Sequence, residues 1–321
     1  MAVFPSWVFP FQPIALSALH CVTIGNFDGV HRGHQALLAR AREVAGPGGV
    51  VTAVTFEPHP MRLLRPEAAP QTVQTPSERR ASLLLAGATD VRVLQVNRAL
   101  LDQEAGAFVR SLHAELGFQA IVEGPDFRFG KGRKGDLALL RSEGEQCGFR
   151  VEVVEPVDVR LADGSTAAAS SSLVRWLLSQ GRVDDAARVL GRPYGFSGQV
   201  VRGDQRGREI GWPTANVEFG ERHIPMDGVY AGLATLPDGT RVRAAISVGT
   251  KPTFGEAERT VEAFLMDRPM PLDRYGWTLR LEFSNWIREQ ARFDGLEPLL
   301  AQMRRDVVRT RDLVPQEAMQ A

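Results

Sequence analysis

Close to its N-terminus the chain passes from a short apolar stretch, Cys21 to Ile24, into the glycine-punctuated decapeptide GNFDGVHRGH, residues 25–34. An amphipathic pattern follows at once, with Leu37, Leu38, Ala41 and Val44 on one face. A strand, a tight loop and a helix in that order predict one unit of an open α/β sheet, because parallel strands need a long crossover. Gly25, Gly29 and Gly33 let the backbone turn tightly and approach a ligand closely. A helix beginning near Gly33 offers unpaired amides and a positive dipole end, which suit an anion. His31 and His34, three residues apart at that helix mouth, are placed to stabilise charge on the phosphate oxygens of a nucleotide. The segment lacks the GxxxxGK[ST] pattern, so a P-loop mode of phosphate binding is not indicated.

The strand–helix rhythm continues through the first half. Residues 50–56 and 91–96 read as strands, the segment opened by Pro76 carries Leu83, Leu84 and Leu85, Phe108, Leu112 and Leu116 mark another helix face, and residues 120–122 form a further strand. A mostly parallel sheet covered by helices is expected, with ligands beyond the carboxyl ends of the strands, where residues 25–34 and 124–130 fall. Helices are expected at 171–178 and 183–190. After Gly191-Arg192-Pro193 the texture changes to short β-rich runs, 198–201, 229–235, 241–248, 260–266 and 277–283, with a closing helix at 296–308. That spacing predicts a compact antiparallel barrel. At 321 residues two domains are expected, with the boundary near 186–192, so that 1–186 and 187–321 form the two units.

Lys plus Arg and Asp plus Glu are both 38, giving zero formal net charge. That argues against a dedicated nucleic-acid binder. Cys21 and Cys147 belong to no CxxC pair, which disfavours a disulfide framework or thiolate zinc site and makes a reducing cytoplasm the default. The N-terminal arm is interrupted by Pro5, Pro10 and Pro13 and has no basic n-region, so it does not read as a signal peptide. No stretch has the continuous apolar length that spans a bilayer.

A second glycine-rich segment, GQVVRGDQRGREIGWPTAN at 198–216, combines Gly203, Gly207 and Gly211 with Arg202, Arg206 and Arg208. Thr214 and Asn216, two apart on an extended chain, share one face. Together with ATP oxygens they make hard donors for Mg²⁺; a glycine-rich hairpin with a polar face is the plainer alternative. Pro58-His59-Pro60 reads equally as ligand contact or as a restrained turn. Phe127 and Phe129, alternating with Asp126 and Arg128, could stack on a ligand or fill a groove.

HRGH at 31–34 matches the HxGH signature of the nucleotidylyltransferase superfamily, and GNFDGVHRGH as a whole resembles the N-terminal module of prokaryotic bifunctional riboflavin kinase/FAD synthetases. The resemblance extends through TFEPHP (55–60), GPDFRFG (124–130), SSSLVR (170–175) and GRPYGFSG (191–198). It implies a Rossmann-like nucleotidylyltransferase domain that transfers AMP from ATP to FMN with release of pyrophosphate. His31, His34 and Arg175 are then catalytic; Gly25, Phe27, Asp28, Gly33, Ser171 and Ser172 help hold the nucleotide; Asp126 and Arg128 lie in a flavin- and nucleotide-binding loop. In the second half GWPTAN resembles the GFPTAN core of riboflavin kinases, and IPMDGVYAG (224–232), VGTKPTFG (248–255), VEAFLMD (261–267), RYGWTLRLEF (274–283) and IREQARF (287–293) continue the match. This implies a riboflavin kinase β-barrel with a C-terminal helix, transferring the γ-phosphoryl of ATP to riboflavin. Glu262 is the implied general base, Thr214 and Asn216 the implied Mg²⁺ ligands, and Gly203, Arg208, Gly211 and Arg288 further binding residues.

The second half departs from the family pattern at three places: Ser247 stands for a common Asn, Phe264 for the usual His, and Gln290 for a frequent Glu. Ser247 loses a hydrogen bond worth ~1 kcal/mol. The leading expectation is a bifunctional enzyme converting riboflavin to FMN and FMN to FAD. The departures motivate two alternatives, an FAD synthetase only and a flavin-binding regulatory protein with a decayed kinase site. Flavins and ATP are the expected ligands, without membrane or nucleic acid; a homo-oligomer is left open.

Overall fold

A computed structural model describes residues 18–203, 207, 210–252, 257–266 and 275–319. The first half contains β1 (His20–Ile24), α1 (Arg32–Ala45), β2 (Val50–Glu57), α2 (Met61–Leu64), α3 (Pro76–Leu85), β3 (Asp90–Gln95), α4 (Arg98–Leu101) and α5 (Ala105–Leu116). It continues with β4 (Ala120–Glu123), α6 (Leu137–Cys147) and β5 (Arg150–Val153). Strands β1 to β5 form one parallel sheet in the order β3-β2-β1-β4-β5. Alternation along the strands supplies both faces. Cys21, Val51, Ala53, Ala120 and Val122 pack with Leu38, Ala41 and Val44 of α1 and Leu83 of α3. Val22, Ile24, Val54 and Ile121 turn the other way, onto Phe108, Val109 and Leu112 of α5 and Leu140 of α6.

Strand order reverses between β1 and β4, since the chain leaves β1 toward β2 and β3 and returns on the opposite side as β4. The crevice beyond their carboxyl ends is the position such sheets use for ligands. Residues 25–31 leave β1 there, and residues 124–130 leave β4 beside them.

A hairpin of β6 (Asp158–Arg160) and β7 (Thr166–Ala168), not expected from the sequence, leads to α7 (Ser171–Ser179) and α8 (Val183–Leu190). The barrel comprises β8 (Tyr194–Val201), β9 (Ala215–Val217), β10 (Gly228–Thr235), β11 (Arg241–Pro252), β12 (Ala257–Leu265) and β13 (Thr278–Arg288). It closes in the order β10-β11-β12-β9-β8-β13, every pair antiparallel. Helix α9 (Leu296–Leu313) packs on β10, β11 and β13. The expected parallel sheet, antiparallel barrel and closing helix are all present. The apolar core around the expected boundary is continuous: Leu177, Leu178, Ala186 and Val189 of α7 and α8 pack in one cluster with Tyr194, Phe196, Tyr230 and Phe283 of the barrel.

Candidate active sites

The loop after β1 is wound tightly. Phe27, Gly29 and Val30 have φ of 49°, 82° and 43°, a region that non-glycine residues enter only when their surroundings impose it. The loop hands over to α1 at His31, whose ring stacks on that of His34 with centroids 3.6 Å apart. Phe27 meets His34 edge-on at 5.0 Å. Gly33 makes room for this stack, because a Cβ there would lie 3.1 Å from His31 Cε1. Similarly, a Cβ on Gly25 would lie 3.2 Å from the Phe27 ring.

Burial, reinforced by Arg175 and Arg192, pushes His31 down to about 4. Burial and then the neighbouring His31 hold His34 well below the ordinary histidine range. Both rings are therefore neutral at pH 7, so each has one N–H to offer and no positive charge. The Nδ1 atoms of His31 and His34 and Oδ1 of Asn26 are buried without hydrogen-bond partners. Three such atoms at the mouth of α1 leave donors and acceptors there for a ligand to satisfy.

Asp28 is the hub beneath this loop. Its carboxylate accepts from the Val73 amide at 2.8 Å and the Gln74 amide at 3.3 Å, and pairs with Arg175 Nη1 at 2.8 Å. Burial pushes the Asp28 carboxyl up, against the pull of Arg175 and of the amides. Ser171 Oγ donates to the Asp28 carbonyl at 2.7 Å, and Ser170 caps α7 by accepting from the Leu173 amide at 3.1 Å. Ser172 is exposed and lies 3.4 Å from Arg175 Nη2. Thus Asp28, Ser171, Ser172 and Arg175 converge on the histidine loop, with Asp28 turned inward to hold Arg175. Asp126 and Arg128 are exposed on the neighbouring loop, where Arg128 Nη1 donates to the Phe127 carbonyl at 2.9 Å. Phe129 belongs to the apolar core and stacks on Phe127 at 5.2 Å, which accounts for the alternating aromatics as packing. His59 Nδ1 accepts from the Met61 amide at 3.2 Å, a local turn contact.

A second constellation forms in the barrel. Pairing of β12 with β9 sets Glu262 opposite Asn216, and pairing with β11 sets it opposite Ser247. Thr214 Oγ1 donates to Glu262 Oε2 at 3.0 Å. Gly203 is packed so closely that a Cβ would fall 2.2 Å from Asn216 Nδ2. Gly211 turns the approach to this strand with φ of 78°. Trp212, Thr214, Ser247, Glu262, Phe264 and Arg288 line a cavity of about 200 Å³ between the barrel and α9. Arg288 is held by Asp306 of α9, with Nη2 to Oδ2 at 2.7 Å. Arg206 and Arg208 lie outside the described residues.

Sequence reasoning passed over several residues here. Arg79, 3% exposed, donates to the Asn26 carbonyl at 3.3 Å and to Glu57 at 2.7 Å. Its signal was a charge four residues before Leu83, on the buried side of a helix. Glu123, also buried, accepts from the Ile24 amide at 2.6 Å and so ties β4 to β1 beneath the crevice. Burial pushes its carboxyl well up, partly opposed by that amide. Arg192 reaches the Gly29 carbonyl at 2.8 Å from the far side of α8.

Comparison with known proteins bears on both constellations. A family model described as FAD synthetase matches residues 15–168, and one described as riboflavin kinase matches residues 190–314. A Pseudomonas fluorescens bifunctional riboflavin kinase/FMN adenylyltransferase is 38% identical over 302 residues, covering 93% of this chain and 94% of the relative. The chain belongs to the bifunctional riboflavin kinase/FMN adenylyltransferase family. The Escherichia coli K12 member is 35% identical over 301 residues, covering 91% of this chain and 92% of its own. In three dimensions the chain is similar to a Streptococcus pneumoniae protein described as a macrolide-efflux protein, with a TM-score of 0.81 and 28% identity over 92% of this chain and 95% of that one. Among the described residues no helix is long and apolar enough to cross a membrane.

The three departures from the riboflavin kinase pattern make contacts of their own. Gln290 Nε2 donates to Ser247 Oγ at 2.9 Å and to the Val248 carbonyl at 2.8 Å, so the amide spans the gap beside the shorter serine. Phe264 packs on Trp212 with centroids 4.7 Å apart.

Proposed function

We propose that the chain performs two successive ATP-dependent steps, with residues 187–321 phosphorylating riboflavin to FMN and residues 1–186 adenylylating FMN to FAD. The observation that carries this division is the convergence of the two motifs in separate places: the stacked histidines at the switch point of the sheet, and Asn216 and Glu262 on adjoining barrel strands with Thr214 just ahead of the first.

In the kinase step the Glu262 carboxylate orients the riboflavin 5′-hydroxyl and accepts its proton as the oxygen bonds to the γ-phosphorus and ADP leaves. The Thr214 hydroxyl, donating to Glu262, fixes the carboxylate's direction. Thr214 and Asn216 supply hard oxygens suited to Mg²⁺, and the described residues hold no group of three or more His, Cys, Asp or Glu side chains that could bind a metal. A donor set of that kind suits an ion bound largely through substrate phosphates, where it neutralises their charge. In the adenylyl step an FMN phosphate oxygen attacks the α-phosphorus of ATP, and pyrophosphate leaves. The neutral His31 and His34 donate N–H bonds to phosphate oxygens, while the α1 amides and Arg175 supply positive potential; catalysis is mainly positioning. Two unpaired cysteines, Cys21 and Cys147, support a cytoplasmic location.

Labelled ATP tests the reading. Label from the γ-position is expected in FMN, and label from the α-position in FAD alone. Absence of γ-label from FMN formed with folded protein and Mg²⁺ would leave an FAD synthetase or a flavin-binding protein.

A further inference from the structure

The loop that presents His31 and His34 is clamped from the segment leading into the barrel. Arg192, between α8 and β8, donates from Nη2 to the Gly29 carbonyl at 2.8 Å and from Nη1 to the Val30 carbonyl at 3.3 Å. These are the last two carbonyls before His31, and both residues have positive φ, 82° and 43°. For a β-branched residue such as Val30 that conformation is strained and persists only where neighbours impose it. The same junction is stitched twice more. Gln35 Nε2 donates to the Val30 carbonyl at 2.9 Å and to the Leu190 carbonyl at 2.8 Å. Arg32 Nε donates to the Arg188 carbonyl at 2.8 Å. The last carbonyls of α8, which have no partner within their own helix, are thus taken by side chains from the first turn of α1.

We propose that Arg192 is a positioning residue for adenylyl transfer, holding the Gly29–Val30 backbone, and through it the His31–His34 ring pair, in the reactive geometry. This rests on the assignment of that step to His31 and His34. Arg192 acts through backbone, and a fork of two donors is what two successive carbonyls require; a lysine offers a single point of charge. Arg192 also faces His31 as a cation, together with Arg175 from α7 and the stacked His34.

The test uses the full-length chain and the variants R192M, R192K and H31A, following pyrophosphate release from FMN with ATP and ADP release from riboflavin with ATP. R192M is expected to lower kcat for adenylyl transfer by about tenfold to a hundredfold, with KM for ATP and FMN within about twofold. Kinase turnover in the same preparation stays at the parent rate, which reports that the protein is folded, and R192K recovers part of the lost kcat. The proposal is overturned if R192M raises KM at unchanged kcat, since Arg192 would then be a ligand contact. It is equally overturned if R192M and R192K lose both activities together, which would mark a purely structural staple. An inactive H31A beside a fully active R192M overturns the role of Arg192 alone; a fully active H31A overturns the site assignment on which it rests.

Discussion

His31 and His34 are kept uncharged by their surroundings, and that has a cost in acid. Burial disfavours a charge on either ring most, stacked rings at 3.6 Å cannot both carry a proton without repulsion, and Arg175 and Arg192 further oppose a charge on His31. With His31 held at about 4 in the folded chain and 6.5 when unfolded, the unfolded state binds the extra proton between those values. Stability is therefore complete above pH 6.5, falls as pH drops through the window, and levels off below about 4. His31 alone accounts for about 2 kcal/mol lost between pH 7 and pH 5. Unfolding free energies from urea titrations at the two pH values are expected to lie closer together in H31Q than in the parent by about that amount. An unchanged gap would place the acid sensitivity elsewhere. Asp28 explains why Arg175 is available at this site: one buried carboxylate, held by the Val73 and Gln74 amides in the loop before α3, fixes the guanidinium beside the rings.

Two short elements carry more than their length suggests. Strand β9 has three residues, yet it closes the barrel between β8 and β12 and carries Asn216 to Glu262. Gly203→Ala would set a methyl 2.2 Å from the Asn216 amide nitrogen. It is expected to abolish riboflavin phosphorylation while leaving conversion of supplied FMN to FAD intact, as read by chromatography of the flavins; normal FMN formation would remove Asn216 from the kinase site. At the start of α3, Thr75 and Glu78 form a reciprocal cap. Glu78 also pairs with Arg222 of the β9–β10 loop at 3.1 Å. Thr75→Ala should cost about 1 kcal/mol in urea denaturation. Glu78→Ala should cost more, about 3 kcal/mol, because it also strips the partner from a guanidinium 11% exposed. Equal losses would mean the Arg222 pair contributes nothing.

The molecule joins two catalytic units through packing as well as chain. His223, in the same loop as Arg222, lies with Nε2 2.9 Å from the Arg175 carbonyl, so the barrel touches the helix that carries Arg175, the residue proposed for the adenylyl site. Much of this architecture was legible in the sequence, for identifiable reasons. Strand β2 is buried along most of its length and is accordingly rich in β-branched residues, while α1 shows its buried stripe directly. The decapeptide and the PTAN segment concentrate glycine, histidine and hard oxygen donors within a few positions. Other features leave no local trace. Strand β9 is set by its pairing with β8 and β12, whereas its own sequence reads equally as an extended segment or as a glycine-rich hairpin with a polar face. The role of Arg192 is invisible because its partners are carbonyls, which every residue has. The amphipathic stripes of α7 and α8 reveal that they pack but not against which half. The division of labour between the halves is tested most directly by a flavin time course for the parent, H31A and E262Q chains, each supplied with ATP and Mg²⁺ and either riboflavin or FMN. The expected result is that H31A converts riboflavin to FMN and stops, whereas E262Q leaves riboflavin unchanged but converts FMN to FAD. Loss of both conversions in either folded variant would contradict two separate sites.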